Sequence, residues 1–170
     1  MSSPRRLLFV CTGNICRSPM AEALFLAYSR ERSREGEFEV DSAGLGAWHV
    51  GDLADPRTRK VGERHGVPVT SIARQIQPAD FDRFDLILAM DRGHLSDLKS
   101  VCPREQRHKL KLMRDWDPAH RGADVDDPYY GGLEGFERMF DVLSVCCRNL
   151  LEELVREAGP RALRPLAETP

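Results

Sequence analysis

The stretch FVCTGNICRSP, residues 9–19, decides how this chain is read. Before it, Arg6 to Val10 (RLLFV) is short and apolar, the pattern of a buried strand. After it, Met20, Ala23, Leu24, Ala27 and Tyr28 recur at helical spacing from Pro19 until Gly36. A loop joining strand to helix offers unpaired N–H groups and the positive end of a helix dipole, which together suit phosphate or sulfate. Gly13 lets such a loop turn at little steric cost, and Asn14 tolerates the left-handed conformation that folds N–H groups into a concave nest. Ser18 followed by Pro19 fits a helix start. At the rim, Cys11 meets the N–H dipoles and Arg17, both of which favour thiolate over thiol, so it reads as a nucleophile. Arg17, six residues on, can return over the loop and bind two phosphoryl oxygens with its planar fork.

The remainder of the chain sets the frame for this loop. Its 170 residues suit one compact domain, expected over residues 1–159, with residues 160–170 as a flexible tail. Lys and Arg number 25 against 27 Asp and Glu, a net charge of -2 that gives no global attraction to nucleic acid or anionic lipid, so any anion site must be local. The apolar run before Cys11 is too short for a signal-peptide core and no stretch reaches membrane-spanning length, which leads to the expectation of a cytoplasmic protein. Five cysteines (Cys11, Cys16, Cys102, Cys146 and Cys147) form no Cys-x-x-Cys pair and no zinc-spaced set with His; reduced thiols are expected and a metal site is not.

Along the chain, FEVDSAGL (38–45) reads as a second strand and ADPRTRKVGERHG (54–66) as a helix closed by Gly66. FDLILAM (84–90) is apolar enough for the middle of a sheet, DRGHLSDLKSV (91–101) reads as a helix and KLKLM (109–113) as a fourth strand. Arg114 to Gly132 carries Asp, Pro, Gly and Tyr without periodicity and reads as a long, functional loop. Phe136, Phe140, Leu143, Cys147, Leu150 and Leu154 mark a closing helix that Gly159 and Pro160 terminate. Alternating strands and helices indicate an α/β layer with a mostly parallel sheet, whose ligands bind beyond the carboxyl ends of the strands, where Cys11 lies.

The segments CTGNICRSPMAEALF, VDSAG, SIARQI, FDLILAMD and DPYYGG, in this order between about Arg6 and Gly159, resemble the low-molecular-weight protein tyrosine phosphatases. The resemblance implies a three-layer α/β domain whose four-stranded parallel sheet runs in the order 2-1-3-4, with a phosphate-binding loop after the first strand. It implies hydrolysis of phosphotyrosine proteins and small aryl phosphates to inorganic phosphate, without cofactor or metal. Cys11 would attack phosphorus and form a phosphocysteine. Arg17 and the N–H groups of the loop, formed by Thr12, Gly13, Asn14, Ile15, Cys16 and Arg17, would hold the equatorial oxygens. Asp127, the Asp immediately before Pro128, would be the general acid. From the residues alone, Asp126 and Asp127 are equivalent candidates, and one of them could be a solvated turn residue.

By the same resemblance, Asn14 shapes the loop with help from Ser42, and Ser18 turns its hydroxyl to the Cys11 sulfur. Trp48, Tyr129 and Tyr130 would wall the cleft around an aromatic ring. Trp48 could instead pack on the sheet, the two tyrosines could close their loop, and Ser42 could be a strand-end residue. Cys16 reads either as a packing residue or as a reversible disulfide partner of Cys11. Arsenate reductases on this scaffold place two further redox cysteines after the third strand, where this chain has LILAMDRG and a lone Cys102. Protein-arginine phosphatases carry threonine where this chain has Ile15. A non-catalytic phosphoprotein-binding module would be expected to have lost the nucleophile or the acid.

Overall fold

The computed structural model describes residues 3–159. Strand β1 (Arg5–Cys11) is followed by helix α1 (Arg17–Glu31), β2 (Phe38–Gly44), α2 (Pro56–Arg64), α3 (Pro78–Arg83) and β3 (Leu86–Ala89). The chain then forms α4 (Arg92–Val101), β4 (Leu110–Leu112) and the 26-residue α5 (Leu133–Ala158). The strands form one sheet in the order β2-β1-β3-β4, with every pair parallel. This is the 2-1-3-4 order expected from the resemblance. The flexible tail expected over residues 160–170, and Pro160 with it, lies outside the described residues.

The sheet is buried on both faces because its central strands are apolar at consecutive positions, Leu7 to Cys11 in β1 and Leu86 to Ala89 in β3, not at alternate ones. Leu7, Phe9 and Leu88 join α1 and α5 through Met20, Leu24, Phe25, Phe136, Leu143, Cys147, Leu150 and Leu154. Leu8, Val10, Ile87 and Ala89 face the other way, onto Phe81, Phe84 and Leu98 of the α3 and α4 side. Successive residues of a strand point to opposite faces, so one apolar run serves both layers. Each of the Leu, Ile, Phe, Val and Met side chains among them contributes about 1.5–3 kcal/mol by leaving water.

Element ends refine the expectations in two places. Helix α1 starts at Arg17, not at Pro19; Pro19 is its third residue, where its missing N–H is still one of the first-turn donors without a helical partner. The expected long loop opens with a 3-10 turn at Met113–Trp116. Helix α3, six residues that begin with Pro78, is too short to show a period in the sequence. Gly66 and Gly159 both adopt positive φ, 69° and 75°, just past the helices they close.

One contact of the frame shapes the loop above it. Gly44 ends β2 opposite Cys11, and a Cβ there would lie 2.9 Å from the Thr12 carbonyl oxygen, 3.0 Å from Gly13 C and 3.1 Å from Asn14 N. All three atoms are backbone, so none can swing aside. Gly44→Ala is therefore expected to lower stability by about 1–3 kcal/mol in urea unfolding, because the loop must lift off the sheet edge. A loss below about 0.3 kcal/mol would show that the loop is not held this closely.

Candidate active site

The loop from Thr12 to Cys16 crosses the carboxyl end of the sheet, tied down on the β2 side. Leu45 N–H donates to the Cys11 carbonyl at 2.9 Å and Gly46 N–H to the Thr12 carbonyl at 3.0 Å; Asp55 N–H donates to the Ile15 carbonyl at 2.8 Å. The loop's carbonyls thus point outward to neighbours. Its own N–H groups, from Thr12 to Arg17, donate to no acceptor among the described residues. Six free donors at a helix start form a cradle for an anion.

Asn14 holds that shape. It is the one loop residue at positive φ, 59°, as its side chain permits. Its Nδ2 donates to Ser18 Oγ at 2.8 Å and to Ser42 Oγ at 2.9 Å, while its Oδ1 accepts from Arg74 N–H at 3.0 Å. The expected partnership of Asn14 with Ser42 is present. Gly13 is not at positive φ; its lack of a side chain instead admits the His49 ring, whose Cδ2 would lie 2.8 Å from a Cβ.

The amide also sets the direction of two hydroxyls. Since Asn14 Nδ2 can only donate, Ser18 and Ser42 accept from it and their own hydrogens point onward. Ser18 Oγ lies 3.0 Å from Cys11 Sγ, its hydrogen available to a thiolate there, and Ser42 donates to Glu22 Oε2 at 3.0 Å. Cys11 is only 3 % exposed at the loop's inner rim. A chain of hydrogen bonds therefore runs from the sulfur through Ser18, Asn14 and Ser42 to Glu22. Burial pushes the Glu22 carboxyl from its ordinary 4.5 up to about 7, with neighbouring Asp41 adding to the rise and the Ser42 hydroxyl opposing it.

Arg17 is buried and held on several sides. Nη1 donates to Asp91 Oδ2 and to the Val125 carbonyl, both at 2.9 Å, and Nη2 lies 3.4 Å from Thr12 Oγ1 and 3.6 Å from Asp127 Oδ2. Of the two acidic neighbours before Pro128, the structure brings Asp127 to the guanidinium. Asp127 Oδ1 also accepts from Tyr129 N–H at 3.1 Å, which orients the carboxyl within its loop.

The remaining candidates fall into two groups. Trp48 is 75 % exposed and lies over Gly46; Tyr129 and Tyr130 stack edge to face at 5.0 Å, with Tyr130 92 % exposed. These aromatic residues come from separate segments, Trp48 from the stretch after β2 and the tyrosines from the loop that carries Asp127. Cys16, in contrast, caps α1 and sits in the core cluster, where burial and then the charge of Asp55 push its thiol up to about 12. Its side chain faces the protein interior, so what it offers the cradle is its N–H. All five cysteines are unpaired.

Four contributors lie outside the residues singled out from the sequence: Glu22, Arg57, Asp91 and His94. Arg57 is gripped by Asp55 at 2.9 Å and donates to the carbonyls of Tyr129 at 3.0 Å and Gly131 at 3.3 Å, joining the start of α2 to the loop that carries Asp127. His94 Nε2 lies 2.7 Å from Thr12 Oγ1. A visible signal existed for two of them: Asp91 stands at a helix start, and Glu22 is an acid one turn beyond Ser18 in an otherwise apolar stretch.

Residues 6–159 match the family described as low molecular weight phosphotyrosine protein phosphatase. The chain is 46% identical over 160 residues to a low molecular weight protein-tyrosine-phosphatase of Streptomyces coelicolor, covering 92% of this chain and 98% of that one. It is 39% identical over 151 residues to the human low molecular weight phosphotyrosine protein phosphatase, covering 88% and 95%. In structure it is similar to a protein tyrosine phosphatase from Entamoeba histolytica, with a TM-score of 0.87, 42% identity and coverage of 91% and 98%.

The buried Glu22 makes stability depend on pH. Between pH 4.5 and about 7 the native state keeps a proton that the unfolded chain gives up, so stability falls across that window as pH rises. The gap between those two values corresponds to a loss of about 3 kcal/mol once pH exceeds 7. Glu22→Gln is expected to match the wild type near pH 4.5 and to exceed it by about 1–3 kcal/mol at pH 8 in urea unfolding. A difference that stays constant across this range would contradict the account.

Proposed function

The chain belongs to the low molecular weight phosphotyrosine protein phosphatase family, and we propose that it hydrolyses phosphotyrosine in proteins, and small aryl phosphates, through a phosphocysteine on Cys11. The observation that carries this reading is the convergence on one loop of a sulfur, six unpaired N–H donors and a buried guanidinium. Few other chemistries use that set. A phosphate dianion seated on the donors would present phosphorus to Sγ, with Arg17 and the N–H groups matched to the three equatorial oxygens.

In the first step the Cys11 sulfur attacks phosphorus as the bond to the phenol oxygen breaks. The Ser18 hydroxyl, aimed at sulfur by Asn14, favours the ionised nucleophile. In this reading Asp127, whose carboxyl stands 3.6 Å from Arg17, gives a proton to the departing oxygen. In the second step the same carboxylate takes a proton from water, which attacks the phosphocysteine and releases inorganic phosphate. The exposed faces of Trp48, Tyr129 and Tyr130 suit an aromatic ring above the cradle, which phosphoserine lacks. The chain retains Cys11, Arg17 and Asp127 together, which favours turnover over a binding-only role. A domain spanning residues 1–159 in a cytoplasmic protein remains part of this reading.

The acid role is tested by leaving group. Asp127→Ala is expected to lower kcat by about 100-fold or more on phenyl phosphate, whose phenoxide needs a proton, and by much less on an aryl phosphate with an acidic phenol. Equal losses on both substrates in a steady-state assay would reject Asp127 as the proton donor.

A further inference from the structure

His94 sits in the first turn of α4, far from the loop in sequence, yet its imidazole reaches the loop's first residue. Its Nε2 lies 2.7 Å from Thr12 Oγ1, and the residue is only 5 % exposed. Its other nitrogen, Nδ1, is buried 3.3 Å from Asp91 Oδ1, although without the alignment of a hydrogen bond. That same oxygen accepts the backbone N–H of His94 at 2.7 Å, and the opposite oxygen of Asp91 accepts from Arg17 at 2.9 Å. Arg17 Nη2 in turn lies 3.4 Å from Thr12 Oγ1. Four side chains, Thr12, His94, Asp91 and Arg17, therefore close a ring around one edge of the guanidinium.

The surroundings of this ring favour one arrangement. Arginine only donates, so the Thr12 oxygen accepts from it; a neutral imidazole with its proton on Nε2 would turn the Nδ1 lone pair onto Asp91 Oδ1, 3.3 Å away, whereas a proton on Nδ1 leaves Nε2 to accept the Thr12 hydroxyl hydrogen. The ring proton sits on Nδ1, facing the Asp91 carboxylate. This requires a neutral imidazole. Burial, and after it the charge of Arg17, hold the His94 pKa below its ordinary value, against the opposing charges of Asp91, Asp127 and Asp97.

We propose that His94 is a positioning residue for the phosphate clamp: by accepting the Thr12 hydroxyl hydrogen, it keeps the Thr12 oxygen turned toward Arg17 and so fixes the guanidinium plane for the oxyanion of the transition state. The inference rests on the reading that Arg17 holds the equatorial oxygens. A loss of this brace is felt most where the guanidinium must match a trigonal bipyramid, and less for a ground-state tetrahedral phosphate.

The test compares His94→Leu, His94→Gln and Thr12→Val, singly and with His94→Leu combined with Thr12→Val, on p-nitrophenyl phosphate, with inorganic phosphate and vanadate as competitive inhibitors. For His94→Leu we expect kcat to fall about tenfold with KM changed less than about twofold, and vanadate inhibition to weaken about tenfold while phosphate inhibition weakens less than about threefold. His94→Gln, whose amide oxygen can accept the same hydrogen, is expected to recover to within about threefold of wild type. The double variant is expected to lose no more than the weaker of its parents. Should His94→Leu fail to fold, Thr12→Val must show the same split between vanadate and phosphate. Equal weakening of both inhibitors, indistinguishable leucine and glutamine variants, or additive losses would each overturn the inference while leaving the phosphatase reading intact. A wild-type protein without turnover on the aryl phosphate would overturn both.

Discussion

The side chain of Asn14 is the constraint on which the rest of the site depends. Its left-handed backbone turns the loop so that N–H groups face inward, and its buried amide spends every donor and its acceptor on holding that turn: two hydroxyls on one side and the Arg74 N–H on the other. Each of those bonds reaches a different part of the fold, Ser18 in α1, Ser42 in β2 and Arg74 in the segment after α2. The loop is thereby sewn to three elements through one residue. An aspartate there could not donate, and the two hydroxyls would lose the bond that sets their direction. Because a buried unsatisfied polar group costs about 1–3 kcal/mol, breaking one of these contacts loosens the others.

Around this frame the charges are arranged as a balance. Arg17 is a buried cation whose charge is answered by Asp91 at 2.9 Å and, more loosely, by Asp127 at 3.6 Å. The tighter carboxylate anchors; the looser one is 44 % exposed. The two Nη1 donors of the guanidinium are thus fixed, while Nη2 lies near Thr12 and Asp127. Arg57 does similar work at longer range, stacking on Phe136 at 4.5 Å while it bonds the backbone that follows Asp127. Arg17 and the backbone beside Asp127 are therefore held by separate ion pairs on separate elements.

Much of this was legible in the sequence, for a physical reason. The strand, loop and first helix are contiguous, so their pattern in residues 5–31 carries almost all the information that shapes them, and the apolar run at Leu86–Ala89 announces a strand buried on both faces. Helix α1 starts at Arg17 although Ser18-Pro19 has the composition of a helix entry; the Ser18 hydroxyl is used by Asn14 and Cys11 instead. Residues that act across the fold left weaker traces. His94 and Arg57 become part of the site only when a helix distant in sequence is laid beside its loops, and no local spacing encodes that contact. The choice between Asp126 and Asp127 is of the same kind: the family pattern selects Asp127, and the tertiary structure puts that carboxyl, 110 positions along from Arg17, beside the guanidinium.

The central claim is that phosphorus passes through the Cys11 sulfur. Rapid acid quench of the protein during turnover of an aryl phosphate, followed by peptide mass spectrometry and phosphorus NMR, measures this directly. The account predicts a thiophosphate on the peptide that contains Cys11, accumulating further in Asp127→Ala with a substrate whose phenol is acidic, because water attack then lacks its base. Turnover proceeding with no phosphate on sulfur, or with phosphate on Cys16 or another residue, would contradict it.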